Sequence, residues 1–182
     1  MVGSATVTST DFSVSALALS DELSVGWAPI PGLAIGIGEY LAFSVVQTVS
    51  GGGVNNAAAG QLISGLVGVF VDFYPYPTKG FHVEGAVGLG ALSWSTGPDT
   101  SSGAYNYYRI PAYDYSGGPG FGFMLGAGYE WWISPNWSLG ALFRVIGVSA
   151  TLKADRSEPQ TTPPNMHMTM WAPGILANVT YQ

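Results

Sequence analysis

Large apolar residues recur at every second position of "GFGFMLGAGYEWWISPNWSLGALFRV", which runs from Gly120 to Val145. Phe121, Phe123, Leu125, Ala127, Tyr129, Trp131 and Ile133 form one set, and Gly122, Gly126, Gly128 and Glu130 stand between them. Period-two alternation marks a strand whose two faces meet different surroundings. The same pattern predicts strands over residues 23–30, 33–47, 62–74, 81–95, 121–133, 137–152 and 166–181. No segment follows the helical period.

The connections alternate too. Residues 28–32, 75–80 and 134–136 are short and rich in Pro or Asn; residues 48–61, 96–118 and 153–165 are long and polar. Strict alternation of short and long connections predicts an up-and-down sheet with tight turns at one end and loops at the other. No break in composition divides the chain, so residues 1–182 are expected to form one domain.

Composition then says what the greasy face meets. The chain is 47% hydrophobic and 9% charged, against ~25% charged residues in ordinary soluble domains. No run approaches the ~20 apolar residues of a membrane helix. A sheet in lipid must close, because open backbone edges go unsatisfied there. A transmembrane barrel is therefore expected, with its greasy set toward lipid and its small set toward the lumen. On residues 81–95, Phe81, Val83, Val87 and Leu89 point out while His82, Glu84, Ala86, Gly88 and Gly90 point in. On residues 33–47, Leu33, Ile35, Ile37, Leu41 and Phe43 point out. Trp27, Phe73, Tyr74, Tyr76, Phe81, Tyr129, Trp131, Trp132, Trp137 and Tyr181 gather at the short-turn ends. Amphipathic rings favour the headgroup level, as in the girdles of outer-membrane barrels.

The pattern, the strand-turn-strand "APIPGLAIGIG" and the ending "GILANVTYQ" together resemble the small bacterial outer-membrane β-barrel proteins of the OmpA, OmpX and OmpW type. The resemblance covers Leu23 to the C-terminus. It implies an all-β, up-and-down antiparallel barrel of eight strands, seven of them clear here. It also implies a monomer in the outer membrane of a Gram-negative cell, with the lipid bilayer and the outer-membrane assembly machinery as partners. Ile175, Ala177, Val179 and Tyr181 supply the outward alternation that this machinery reads, with Val179 and Tyr181 as its last positions. Gln182 after the aromatic departs from the family pattern, as does the lack of an earlier glycine.

Two readings of residues 5–19 stand. The segment is the eighth strand, with a turn at Ser20-Asp21-Glu22, or it is an external extension of the strand reaching Trp27. In the second reading the family's first strand is missing. Thr6, Thr8, Ser9, Thr10, Asp11 and Ser13 make a poor lipid face, which favours the second.

Candidate chemistry is sparse. The net charge is −6 with no basic patch, which excludes a nucleic-acid partner; cysteine is absent, which excludes disulfides and thiolate metal sites. No metal or cofactor is expected. Asp72, His82, Glu84, Glu130 and Arg144 all point inward as a lumen polar network, with His82 opposite Asp72 across the turn at residues 75–80. Asp21 and Glu39 fall opposite one another on the lipid-facing phase, where like charges are costly; a bulge or a phase change is expected to relieve them. The external segment "GAYNYYRIPAYDYSGG" sets Tyr105, Tyr107, Tyr108, Tyr113 and Tyr115 around Arg109. Tyr and Arg dominate binding hot spots, and exposed loops carry function. No catalytic constellation emerges, so no enzyme is expected. A lipid-modifying reading pairs His167 with Glu158 or Ser157, though no spacing requires it.

Two functions are carried forward. One is a structural or porin-like barrel passing small solutes. Inward Gly36, Gly38, Gly68, Gly88, Gly90, Gly122, Gly126, Gly128 and Gly140 leave room for water, while inward Asp72, Glu84 and Glu130 outnumber Arg144, so weak cation selectivity is expected. Inward Met124, Leu142, Phe70 and Trp132 would act against it as a cork. The other function is surface binding through the Tyr-rich loop.

Overall fold

A computed structural model describes residues 2–8, 12–51, 54–56, 60–96, 114–117, 119–155 and 165–181. Its strands in chain order are β1 (Val2–Thr8), β2 (Phe12–Ile30), β3 (Leu33–Gly51), β4 (Val54–Asn56) and β5 (Gly60–Phe73). They continue as β6 (Phe81–Thr96), β7 (Asp114–Gly117), β8 (Gly120–Trp132), β9 (Trp137–Asp155) and β10 (Met166–Tyr181). Each long strand pairs antiparallel with the next, and β10 pairs back onto β1. The chain is thus an all-β, up-and-down barrel of eight antiparallel strands, closed on itself. The short β4 folds onto β3, and β7 extends the line of β8 between β6 and β9. Carried around the ring, the register returns to β1 about ten residues from where it began, the shear that goes with strands tilted by roughly 35–45°.

The tight turns set the register. Gly32 adopts a φ of 84°, which suits glycine. Its carbonyl accepts a hydrogen bond from the Tyr74 amide at 2.7 Å, tying the first turn to the second. The Glu130 amide donates to the Gly80 carbonyl at 2.8 Å, tying the second turn to β8.

The N-terminal segment follows neither expectation fully. β2 passes unbroken through Ser20, Asp21 and Glu22, so no turn lies there; it extends the strand reaching Trp27, as the second reading held. The first strand is nevertheless present in part. β1 sits between β2 and β10 and closes the ring, with Gly3 opposite both Ala18 and Gly174. The break falls between β1 and β2, in a polar run whose alternation is too weak to mark it.

Side chains fill the loop-end half of the lumen. Val14, Tyr40, Leu62, Leu66, Met124, Ile146, Val148, Leu152, Met168 and Met170 are at most 2% exposed and pack as one cluster. Neighbouring side chains lean over the inward glycines there. A Cβ on Gly38 would meet the Tyr40 ring, one on Gly90 would meet Val148, and one on Gly122 would meet Leu66. Small residues receive large neighbours, as the packing of a narrow barrel requires.

The outer face is apolar. Leu23, Val25, Ile37, Val67, Val69, Val87, Leu89, Leu125, Phe143, Ile175 and Val179 are all exposed. At the turn end stand exposed Trp27, Phe73, Tyr76, Phe81, Tyr129, Trp131 and Trp137, with the Trp137 and Tyr181 rings 5.1 Å apart. Tyr74 departs from the expected ring: it is buried, pointing inward. Trp132 sits exposed at the rim and does not cork the lumen. A second outward group, which the sequence reading missed, lies ten residues up β10, where Trp171 meets Phe123 edge-on at 5.5 Å. At this tilt ten residues rise ~25 Å. Above that level the outward positions turn polar at Ser149, Thr151 and Lys153.

Candidate functional site

The turn-end half of the lumen holds a cavity of about 750 Å³. Its wall carries Glu22 from β2, Asp72 from β5, His82 and Glu84 from β6, Glu130 from β8, and Asn178 and Thr180 from β10. Alternation brings these side chains inward on separate strands, and the closed ring brings them together. Four carboxylates and one imidazole on this wall make it acidic.

The polar groups pair in three sets. His82 Nδ1 lies 2.8 Å from Asp72 Oδ1, and the His82 ring stacks on Tyr74 with centroids 5.0 Å apart. The residue directly opposite Asp72 is Glu84, so His82 reaches Asp72 on the diagonal. The turn is centred one residue later than a directly facing Asp72 and His82 would need. Glu130 accepts hydrogen bonds from Ser138 Oγ at 2.9 Å, Asn178 Nδ2 at 2.9 Å and Thr180 Oγ1 at 2.6 Å. Glu84 accepts from the Tyr40 hydroxyl at 3.1 Å.

Arg144 joins Glu84 and Tyr40 in the third set. Its Nη1 donates to Glu22 Oε2, and its Nη2 donates to Ser20 Oγ at 2.6 Å and to the Asp21 carbonyl at 3.2 Å. Its guanidinium also lies 5.6 Å from the centre of the Tyr40 ring. The lumen candidates Asp72, His82, Glu84, Glu130 and Arg144 therefore all face inward, linked to one another through Tyr74, Tyr40 and Glu22. Sequence reasoning missed Glu22, Tyr40, Asn178 and Thr180. A signal existed for all four: outward Leu23, Leu41, Val179 and Tyr181 place Glu22, Tyr40, Asn178 and Thr180 inward by the same alternation.

Asp21 and Glu39 correct the expected register. Asp21 faces Leu41, and Glu39 faces Leu23. The turn at Pro31-Gly32 and an irregularity between Trp27 and Ile30 move the pairing by two residues, which preserves the phase. Both side chains remain outward and exposed, so no phase change relieves them; the two are diagonal neighbours and not a facing pair.

The other candidates lie elsewhere. Tyr105, Tyr107, Tyr108, Arg109 and Tyr113 fall outside the described residues, as do Ser157 and Glu158. Tyr115 belongs to β7, whose backbone pairs it with Trp94 and Ala154. His167 Nε2 meets Ser149 Oγ at 3.1 Å on the outer face, and Ser149 continues to Thr169 at 3.2 Å. Val179 and Tyr181 project from the end of β10 with more than 60% of their surface exposed.

The cavity opens sideways. β1 covers β10 only from Thr169 to Ile175 and β2 only from Ser13 to Ala18. Below it, β2 from Leu19 to Ile30 and β10 from Leu176 to Tyr181 each have one edge with no strand partner among the described residues. Inward Ser24, Gly26 and Ala28 are exposed there, whereas inward positions on the other strands are mostly covered.

Fold and site together define a small closed β-barrel, packed with apolar side chains at its loop end and holding an acidic, laterally open cavity at its turn end. No protein-family model matches the chain, and no curated protein is similar to it.

Proposed function

We propose that this protein is an outer-membrane β-barrel of the OmpA, OmpX and OmpW type, working as a membrane-embedded scaffold. The observation that carries the reading is the outer face. Its exposed residues are mostly apolar over ~25 Å, the height of the lipid-facing band of such barrels, with aromatic residues near both limits and Asp21 and Glu39 as charged exceptions within it. On β9 the outward positions turn polar above that band, at Ser149, Thr151 and Lys153. The outward Val179 and Tyr181 at the end of β10 fit a segment presented to the outer-membrane assembly machinery.

Scaffold is preferred to solute passage because buried apolar side chains pack as one cluster across the loop-end half of the lumen. The acidic cavity supports passage only if that packing opens. The test is refolding into vesicles. A membrane barrel is insoluble in plain buffer, folds in detergent or lipid to a β-rich form, and migrates differently on gels before and after heating. A monodisperse, detergent-free monomer in buffer refutes the reading.

A further inference from the structure

Ser149 on β9 points outward where the outer face changes from apolar to polar. Its neighbours across the strands are Phe121 on β8 and Thr169 on β10. Its Oγ lies 3.1 Å from His167 Nε2 and 3.2 Å from Thr169 Oγ1. His167 is exposed and faces Thr151 across the strands. Exposed Phe121 is level with Ser149, and exposed Trp171 stands one outward step below Thr169. Lys153, two outward steps above Ser149, is exposed as well. A hydroxyl and an imidazole nitrogen at this distance are the working parts of a nucleophile activated by a general base. With the ring proton on Nδ1, Nε2 accepts the Ser149 proton. The place matters as much as the contact. The ester groups of a membrane glycerolipid lie between the hydrocarbon core and the headgroups, in the interfacial layer. Aromatic rings mark that layer, and here Phe121 and Trp171 stand beside the Ser149 hydroxyl.

We propose that Ser149, His167 and Thr169 form an ester-hydrolysing site on the outer face, whose substrate is a membrane glycerolipid. The inference adds an activity to the scaffold and rests on the membrane reading. Ser149 Oγ attacks the ester carbonyl carbon while its proton passes to His167 Nε2. The Thr169 hydroxyl, the nearest further donor, hydrogen-bonds the oxyanion that forms. The carbonyl then re-forms, the bond to the glycerol oxygen breaks, and His167 returns the proton to that oxygen. The acyl group stays on Ser149 and the lysolipid leaves. Water attacks the acyl group as His167 takes its proton, and Ser149 regains that proton as the fatty acid departs. The sum is ester plus water giving alcohol plus carboxylic acid. Phe121 and Trp171 offer an apolar surface to the acyl chain, and Lys153 a positive charge to the headgroup phosphate.

The test uses two probes on the refolded full chain. A long-chain alkyl fluorophosphonate in detergent micelles traps an activated serine, and peptide mapping reads which one. Phosphatidylethanolamine vesicles with a labelled acyl chain report fatty acid and lysolipid release. The natural protein should be labelled at Ser149 and should release both products in equal amounts. Ser149→Ala should abolish labelling and release. His167→Gln should slow both by about 100-fold or more, and Thr169→Val should slow release by about 100-fold. Gly85→Ala, outward and far from the dyad in the chain, should keep both. Each variant is first scored for the heat-modifiable folded band. Folded natural protein that is neither labelled nor releases fatty acid overturns the proposal, as does release that survives Ser149→Ala. Labelling at Ser149 with no release from vesicles overturns the glycerolipid as substrate. If the chain instead proves soluble without detergent, the membrane reading fails and the lipid substrate with it. The fluorophosphonate then still reports on the dyad in buffer, so the two failures are distinguishable.

Discussion

The Arg144 guanidinium on β9 reaches across the lumen to the Glu22 carboxylate on β2. Arg144 is 1% exposed, and the two residues are 122 positions apart in the chain. This contact spans the barrel between the apolar packing above and the cavity below. Removing one partner strands a buried charge, which typically costs about 3–5 kcal/mol. Glu22→Ala should therefore destabilise the barrel by roughly that amount in urea titrations of the refolded protein. Replacing both residues with apolar ones, Glu22→Leu with Arg144→Met, should recover most of the loss. A double variant as unstable as the single one would mean that the charge pair is not the cause.

The inward glycines are packing positions. Gly68 and Gly88 face one another, and a Cβ on either would sit about 2 Å from a backbone carbonyl of the partner strand. Gly88→Val should cost at least ~1–3 kcal/mol by overpacking. Outward Gly85 has 3.5 Å to the nearest Leu125 atom, so Gly85→Ala should change little. Unfolding midpoints of the two variants compare them directly.

If the outer band lies in lipid, a charge in it is penalised by depth. Leu125→Arg, mid-strand and outward, should lose about 2–4 kcal/mol in vesicles. Thr151→Arg, above the band, should lose about 0–1 kcal/mol. Equal and small losses at both positions would argue that the band is not embedded.

Planar-bilayer recording addresses passage. The apolar cluster around Tyr40, Leu66 and Met124 leads us to expect no single-channel steps from the natural protein. Steps with cation preference would restore the passage reading and trace it to the Glu22, Glu84 and Glu130 wall.

Surface binding remains a loop question. Deleting residues 104–112 removes Tyr105, Tyr107, Tyr108 and Arg109 yet spares β7, whose backbone pairs with β6 and β9. The heat-modifiable band should persist after this deletion. Its loss would show that the loop holds the barrel together.

Much of the barrel was legible because alternation is a local property. Six strands appear at nearly the expected bounds, the one expected from residue 23 starts at Phe12 instead, and Phe81, Val83, Val87 and Leu89 face outward as their spacing requires. The same rule turned Asp72, His82, Glu84, Glu130 and Arg144 inward. It failed at β1, where Ser4, Thr6 and Thr8 fall on one phase and Gly3 and Ala5 on the other, so no large apolar set marks a strand. It also failed to give exact register: one irregularity beside Pro31-Gly32 moved Asp21 from Glu39 to Leu41.

By itself, then, the sequence determined the strands, their up-and-down order and the face each residue presents, because side-chain direction in a strand depends only on position along it. Tertiary structure decided which inward residues meet. Arg144 with Glu22, Tyr40 with Glu84 and Asn178 with Glu130 join strands brought together by closure, shear and tilt, which are properties of the whole ring. The packed loop end was decided the same way. Whether a glycine leaves a gap depends on the neighbour that leans into it, and that neighbour comes from another strand.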